Sequence, residues 1–276
     1  MGQRQGEKIT GSNPVVVAGI DVGSLSAEAV LLKDGRVVTF SIIPTGADSR
    51  KAAEKALTAA MESAGLQFDD LAVIVATGYG RISIPFAHKR ITEITCHGRG
   101  AFYLDPAVRT VIDIGGQDSK VIRLNQQGKV LDFAMNDKCA AGTGRFLEVM
   151  ATALEVELEN LAALSDQAVR AISISSTCTV FAETEVVSLL AGGADRAEIA
   201  RGLHESIAAR TSSLVYRVGL DEAVMMTGGV AKNSAVVKAL EEKLQLRIIV
   251  PPEPQIAGAL GAALLAWEDC CAAGTT

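Results

Sequence analysis

Aromatic side chains are scarce in this chain. They make up 4% of 276 residues, with a single tryptophan. A core built on large rings is thereby excluded. Abundant alanine, glycine and valine favour close helix-on-sheet packing instead. Basic charge is not in excess: 26 Lys and Arg stand against 32 Asp and Glu, a net of −6. A nucleic-acid footprint is not expected from that balance. No apolar run reaches the roughly 18 residues of a membrane span. The polar start "MGQRQGEKITGSN" lacks the apolar centre of a secretory signal. Residues 1–13 are expected to form a flexible leader, and the protein is expected to be cytoplasmic, without a membrane partner. The five cysteines form no C-x-x-C pair and no dense framework, so disulfides are not expected. Cys270 and Cys271 sit in what reads as a frayed tail. The three histidines, His88, His97 and His204, show no ligand spacing. Hydrophobic content of 49% leaves ample material for a core and argues against disorder.

The chain repeats itself. "VVVAGIDV" predicts a buried strand, a tight glycine turn follows, and "AVLLKDGRVVTFSII" predicts two more strands around an Asp34-Gly35 hairpin. The stretch "VIDIGGQDSKVIRLNQQGKVL" has the same plan: Asp21 matches Asp113 and Gly23 matches Gly115. Between the copies, residues 49–64 carry apolar positions at helical spacing and Gly65 is a stop signal. "LAVIVATGYG" predicts a strand running into a glycine turn. Beyond the second copy helical spacing dominates, apart from a strand in "EAVMMTGGVAKN" and another in "LRIIV". An internal duplication implies two similar halves facing each other.

A buried strand ending in Asp-x-Gly presents backbone N–H groups to an anion, glycine permits close approach, and an aspartate can hold Mg²⁺ as a hard oxygen ligand. Two facing turns of this kind would clamp a polyphosphate, and "TGGV" at 227–230 adds a third close-approach turn. This order resembles the superfamily of actin, sugar kinases and heat-shock protein ATPases. The resemblance implies an α/β fold of two ribonuclease-H-like domains with Mg-ATP between them. The expected division is 14–108 for the first domain, completed by a C-terminal helix at 255–270, and 109–254 for the second. Asp21, Gly23, Ser24, Leu25 and Ser26 would form the first phosphate turn. Asp113, Gly115, Gly116 and Gln117 would form the second, with Asp21 and Asp113 on Mg²⁺ and Gln117 orienting the attacking water. Gly228, Gly229, Val230, Asn233 and Gln255 would serve the adenosine side, with Gly142 and Thr143 also expected to contact nucleotide. Relatives commonly carry lysine where this chain has Glu28, whereas the second copy has Lys120 at the matching position. Side-chain alternation along a strand allows Glu28 to point away from the phosphates, and that orientation is expected.

Two cysteines have matching contexts. "NDKCAAGTGRFLEVM" places Cys139, and "SSTCTVFAETEVVSLL" places Cys178, ahead of an apolar run with helical spacing. Each could be a small buried hydrophobe, a nucleophile or a metal ligand. One chain supplies half of a four-thiolate site, and a C₂ dimer would supply all of it. These two motifs, with "VIDIGGQDSKVI", "VMMTGGVAKN" and "ATGYGR", resemble the activators of 2-hydroxyacyl-CoA dehydratases over residues 15 to 267. That family includes the ATP-hydrolysing subunits of benzoyl-CoA reductase and the reductases of double-cubane cluster proteins. The resemblance implies a homodimer with one bridging [4Fe–4S] cluster held by Cys139 and Cys178. It further implies an ATPase that passes a low-potential electron to an iron–sulfur partner enzyme, with ferredoxin or flavodoxin upstream and ATP/ADP and Mg²⁺ as cofactors. Lys138 and Arg145 flank the first cysteine turn, and either screen cluster charge or face solvent. A small-molecule kinase of N-acetylhexosamine type and a non-catalytic nucleotide sensor are the rivals. Neither accounts for the cysteine motifs.

Overall fold

In β1 (Val16–Val22) every residue is buried, because the strand is covered on both faces. The computed structural model describes residues 14–175 and 178–273, so the expected leader at 1–13 and the pair 176–177 lie outside it. Val16, Ala18, Ile20 and Val22 face α1 (Ser49–Ala64), which turns Ala52, Ala53, Ala56, Leu57 and Ala60 toward them. Val17 faces the opposite layer. Between β1 and α1 come β2 (Ser26–Lys33) and β3 (Arg36–Pro44), joined by Asp34-Gly35. Both turn residues have positive φ, 50° and 75°, the signature of a type I′ hairpin. The lone Trp267 packs over Gly35. As predicted, α1 ends on Gly65 in the left-handed conformation. After it, β4 (Leu71–Thr77) pairs parallel to β1, and the short β5 (Lys89–Arg90) forms the edge. The sheet order is β3-β2-β1-β4-β5.

The second copy repeats this topology. Following α2 (Glu93–Leu104), β6 (Thr110–Ile114), β7 (Ser119–Leu124) and β8 (Val130–Asn136) form an antiparallel meander. Helices α3 (Gly144–Ala153), α4 (Leu161–Ser165), α5 (Thr179–Ala191) and α6 (Arg196–Val218) precede β9 (Val224–Thr227), which pairs parallel to β6. Then come α7 (Ser234–Leu244), β10 (Ile248–Ile249) and α8 (Ala257–Ala273). This sheet has the order β10-β9-β6-β7-β8. Ile112, Ile114 and Val121 on one face pack with Phe146, Met150, Leu203, Ile207 and Leu240 from α3, α6 and α7. The architecture is α/β, two mixed five-stranded sheets of equivalent order, the class expected from the duplicated sequence.

Helix α2 is shared between the halves. Its Ile94 and Ala101 pack with Val111, Ile122 and Leu124 of the second sheet. Its Cys96 lies with Val17, Leu32, Ala259 and Ala263 against the first sheet and α8. Small residues make that layer thin. A Cβ on Gly19 would collide with the α8 backbone at Ala259 and Ala263, and one on Gly261 with the Cys96 carbonyl of α2. Backbone thus rests on backbone, which is the structural use of the alanine and glycine bias. Cys270 and Cys271 belong to the last turns of α8 rather than to a frayed tail, with Cys270 packed on the same cluster. The apolar contacts of α8 continue as far as Cys270, so the helix has reason to persist.

Gly261→Ala is expected to cost about 1–3 kcal/mol or more, because neither backbone can retreat without opening the layer. Urea denaturation should show a lower midpoint at unchanged m-value.

Candidate functional site

Each copy builds the same turn at the end of its first strand. Gly23 N–H donates to Ser26 O at 2.9 Å, and Gly115 N–H donates to Asp118 O at 3.0 Å. A threonine backs each turn: Thr45 Oγ1 donates to Gly23 O at 2.9 Å, and Thr143 Oγ1 to Gly116 O at 3.0 Å. The turns face each other closely, since a Cβ on Gly116 would lie 2.8 Å from Ser24 Oγ. They floor a cavity of 960 Å³ between the two sheets. Asp21, Gly23, Ser24, Leu25, Ser26, Asp113, Gly115, Gly116, Gln117, Gly228, Gly229, Val230, Asn233 and Gln255 all line it. Gly142 and Thr143 do not. Thr143 is fully buried and holds the second turn from behind, while Gly142 lies beside Arg210 with φ +88°.

The duplication extends further than the paired aspartates. Thr77-Gly78 after β4 corresponds to Thr227-Gly228 after β9. Gly78 has φ 80° and ψ −179°, Gly228 φ 83° and ψ 171°. Either glycine lies against its own copy's aspartate, Asp21 or Asp113, leaving no space for a side chain. The parallel registers pair Asp21 with Thr77 and Asp113 with Thr227.

Asp113 is the centre of the floor. Its Oδ2 accepts from Lys120 Nζ at 2.9 Å and its Oδ1 from Thr227 Oγ1 at 2.8 Å. Burial alone would raise its pKa, but the charges of His97 and Lys120, with these hydrogen bonds, hold the carboxyl well below the usual carboxylate range. Lys120 is also bound to Asp118 at 2.7 Å. Burial opposes its charge, yet Asp113 and Asp118 raise the ammonium pKa. With both oxygens engaged, Asp113 fits Mg²⁺ through water better than by direct coordination.

His97 shows no ligand spacing in the sequence, and its signal is burial rather than a motif. It falls at i+3 from Ile94 on the buried stripe of α2, and a polar residue in such a stripe must find polar company. Its Nε2 is 3.5 Å from Asp21 Oδ2, and its Nδ1 is 3.2 Å from Asp113 Oδ1. The Nδ1 contact is electrostatic rather than an aligned hydrogen bond. Burial pushes the imidazole pKa down, but Asp113 and Asp21 outweigh it and raise the value. His88 and His204 do other work: His88 Nδ1 accepts from Ile74 N–H, and His204 is held neutral by burial, its pKa pushed down to about 4, beside Asn233.

The expected outward orientation of Glu28 is incorrect. Glu28 is 4% exposed and lines the cavity. Register pairs Asp21 with Glu28 directly, as it pairs Asp113 with Lys120. Residues directly opposed in an antiparallel pair share a face, so the orientation of Asp21 fixes that of Glu28. Burial, then the Asp21 charge, raise the Glu28 pKa to about 8.

Both cysteines of the long motifs lie outside this cavity and are exposed. Cys178 is the N-cap of α5, as expected. Cys139 does not start a helix. Residues 140–142 form a loop, and α3 begins only at Gly144, because Gly142 has a left-handed φ and Thr143 is extended. The loop is nevertheless tied to the second turn, since Gly144 N–H donates to Gly115 O at 2.9 Å and Arg145 N–H to Gly116 O at 2.8 Å. Lys138 is exposed, and Arg145 pairs with Glu148. Cys96 is buried, and burial pushes its thiol up to about 12, which makes it inert.

The family model described as BadF/BadG/BcrA/BcrD ATPase family matches residues 18–266. The chain belongs to the BadF/BadG/BcrA/BcrD ATPase family. Among curated relatives, the "Activator of lactoyl-CoA dehydratase" of Anaerotignum propionicum is 53% identical over 251 residues, covering 91% of this chain and 96% of the relative. The "(R)-2-hydroxyglutaryl-CoA dehydratase activating ATPase" of Acidaminococcus fermentans is 47% identical over 92% of this chain and 98% of its own length. The crystal structure of the Acidaminococcus fermentans (R)-2-hydroxyglutaryl-CoA dehydratase component A superimposes with a TM-score of 0.90 at 46% identity, covering 93% of this chain and 99% of that one. The activator of the 2-hydroxyisocaproyl-CoA dehydratase from Clostridium difficile, solved with bound ADPNP, also gives 0.90, at 45% identity, covering 95% and 97%. A ROK family glucokinase from Streptomyces griseus, at 15% identity and TM-score 0.57, shares the fold alone.

Lys120→Met strands Asp113 and Asp118 in the floor. It is expected to cost about 3–5 kcal/mol. Removing exposed Arg50 from its pair with Glu54 should change stability by under ~1 kcal/mol. Urea unfolding of Lys120→Met and Arg50→Met compares the two. Equal midpoints would mean that the buried network has been misread.

Proposed function

We propose that this protein is an ATP-hydrolysing electron donor for a partner iron–sulfur enzyme, of the dehydratase, aryl-CoA reductase or double-cubane type. The observation that carries this reading is the shared backbone between nucleotide turn and cysteine loop. Thr143 Oγ1, Gly144 N–H and Arg145 N–H all donate to carbonyls of Gly115 and Gly116. A phosphate that shifts the second turn must also shift the segment leading back to Cys139.

The cysteines suit a group shared by two protomers. Among the described residues, no three Cys, His, Asp or Glu side chains within the chain are placed to hold a metal. Cys139 and Cys178 present exposed thiols, and α3 packs against α5. Along α5 only Ala182 and Val186 are buried, whereas Val180, Phe181 and Val187 are exposed. Such an apolar helix is suited to burial against a second copy. Two thiolates from each protomer of a C₂ dimer complete the four ligands of a [4Fe–4S] cluster. When bound there, the cluster supplies one low-potential electron. The α5 N-terminus, capped by Cys178, contributes partial positive charge beside that thiolate.

In the cleft, the turns at 23–26 and 115–118 hold the phosphates, and the Asp21 carboxylate carries Mg²⁺. Gln117 is exposed on the second turn and orients the attacking water, a role glutamine has in other NTPases. Ferredoxin or flavodoxin reduces the dimer. No described helix is long and apolar enough to cross a membrane, and a cytoplasmic site fits that. A kinase reading draws only on the shared fold.

Anaerobically purified protein should be brown, dimeric and contain about four iron atoms per dimer. Cys139→Ser or Cys178→Ser should lose the iron while retaining nucleotide binding, and Cys96→Ser should change neither. Gln117→Ala should slow ATP hydrolysis more than it weakens binding. Full iron content in either of the first two variants rules out the cluster assignment.

A further inference from the structure

The two copies match in turn geometry and differ in charge. Opposite Asp113 the second copy places Lys120, a carboxylate–ammonium contact of 2.9 Å. Opposite Asp21 the first copy places Glu28. Both residues are buried, Asp21 to 7% and Glu28 to 4% exposure, and both line the cleft. Among the described residues no lysine or arginine pairs with either. Arg81, on the same wall, donates to the Gly78 carbonyl. From α2, His97 lies 3.5 Å from Asp21 but is shared with Asp113, and Glu93 adds a further carboxyl group to the lining. Helix α8 brings only Gly258 against Asp21. The polar neighbour of Glu28 is Ser26, which also meets Gln255 Nε2 at 3.4 Å. The first turn therefore has two buried acids and no cation of its own.

Resting on the reading of this cleft as a nucleotide site, we infer that Asp21 and Glu28 together form its divalent-cation subsite. The first turn then grips the terminal phosphates through Mg²⁺, where the second turn has a built-in ammonium. Two buried carboxyl groups that share one imidazole with a third are costly, and a phosphate brought beside them adds repulsion. Protonating Glu28 would remove one charge but offer nothing to a phosphate. Mg²⁺ compensates both groups and completes its octahedron with phosphate oxygens and water; one or two carboxylates is its usual protein share. The chemistry selects a nucleoside polyphosphate that arrives with its metal. Free nucleotide is disfavoured by the same charges.

The test compares the intact dimer with Glu28→Gln and Glu28→Lys. A non-hydrolysable ATP analogue is titrated calorimetrically in Mg²⁺ and in EDTA, and Mn²⁺ binding is followed by its paramagnetic resonance signal. Wild type should lose at least about tenfold in nucleotide affinity without metal, equivalent to ~1.4 kcal/mol. Glu28→Lys should gain at least about tenfold in EDTA and show little metal dependence, since Asp21 then has the partner that Asp113 has. Glu28→Gln is nearly isosteric and guards against a folding failure of the lysine variant; it should bind Mn²⁺ more weakly than wild type. Equal metal dependence in all three proteins, or unchanged Mn²⁺ binding in Glu28→Gln, overturns the inference. If wild type binds no nucleotide in Mg²⁺, the nucleotide reading itself fails, and this inference with it.

Discussion

The two halves meet on one buried carboxylate. Asp113 takes a hydrogen bond from Lys120 within its own hairpin, another from Thr227 on the neighbouring parallel strand, and faces His97 from α2. Three elements, one of them 114 residues away in sequence, are thereby fixed to one group that is 2% exposed. A buried charge is tolerated only when it is paired and hydrogen-bonded. That requirement sets where β7, β9 and α2 must lie, and so where the second turn opens. His97 carries the constraint across to Asp21, making α2 a strut between the sheets as well as a packing layer.

The thinness of that layer is what allows His97 to reach both aspartates. With rings or long aliphatics at the α2–α8–β1 contacts, the sheets would stand further apart and the imidazole would span one carboxylate at most. Glycines at 19, 100 and 261 let backbone rest on backbone, and the alanines of α1 and α8 do the same at slightly greater distance. The scarcity of aromatic residues is thus connected to the site as well as to the core.

Much of this was legible in the sequence, since duplication, hairpins and the α1 stop are local signals. Asp34-Gly35 needs positive φ at both residues, and Gly65 terminates a helix wherever the chain goes next. The two matching turns that line the cleft follow from strand, aspartate and glycine in order. What escaped depends on pairing across the chain. Glu28 is assigned to the cleft by the register with Asp21, which alternation along one strand does not supply. His97 acquires its role from two strands outside its own helix. The separation of Cys139 from α3 also escaped, because Gly142 and Thr143 take non-helical conformations to reach the second turn, a tertiary demand.

That same demand gives the cysteine loop its character. A helix starting at Cys139 would spend its first N–H groups locally or on solvent. Starting at Gly144, it spends two of them on the carbonyls of Gly115 and Gly116. Those carbonyls belong to a turn that lines the cleft, so a rotation of the turn reorients them too. The helix must follow or lose hydrogen bonds worth about 0.5–1.5 kcal/mol each. Two such bonds, plus one from Thr143, are of the size needed to bias a two-state equilibrium by about tenfold or more. Cys139 is attached to the moving end through residues 140–142, whereas Cys178 caps a different helix. On the function proposed above, a change in the cleft displaces one thiol relative to the other, the kind of motion by which a bound nucleotide would act on a group held between them.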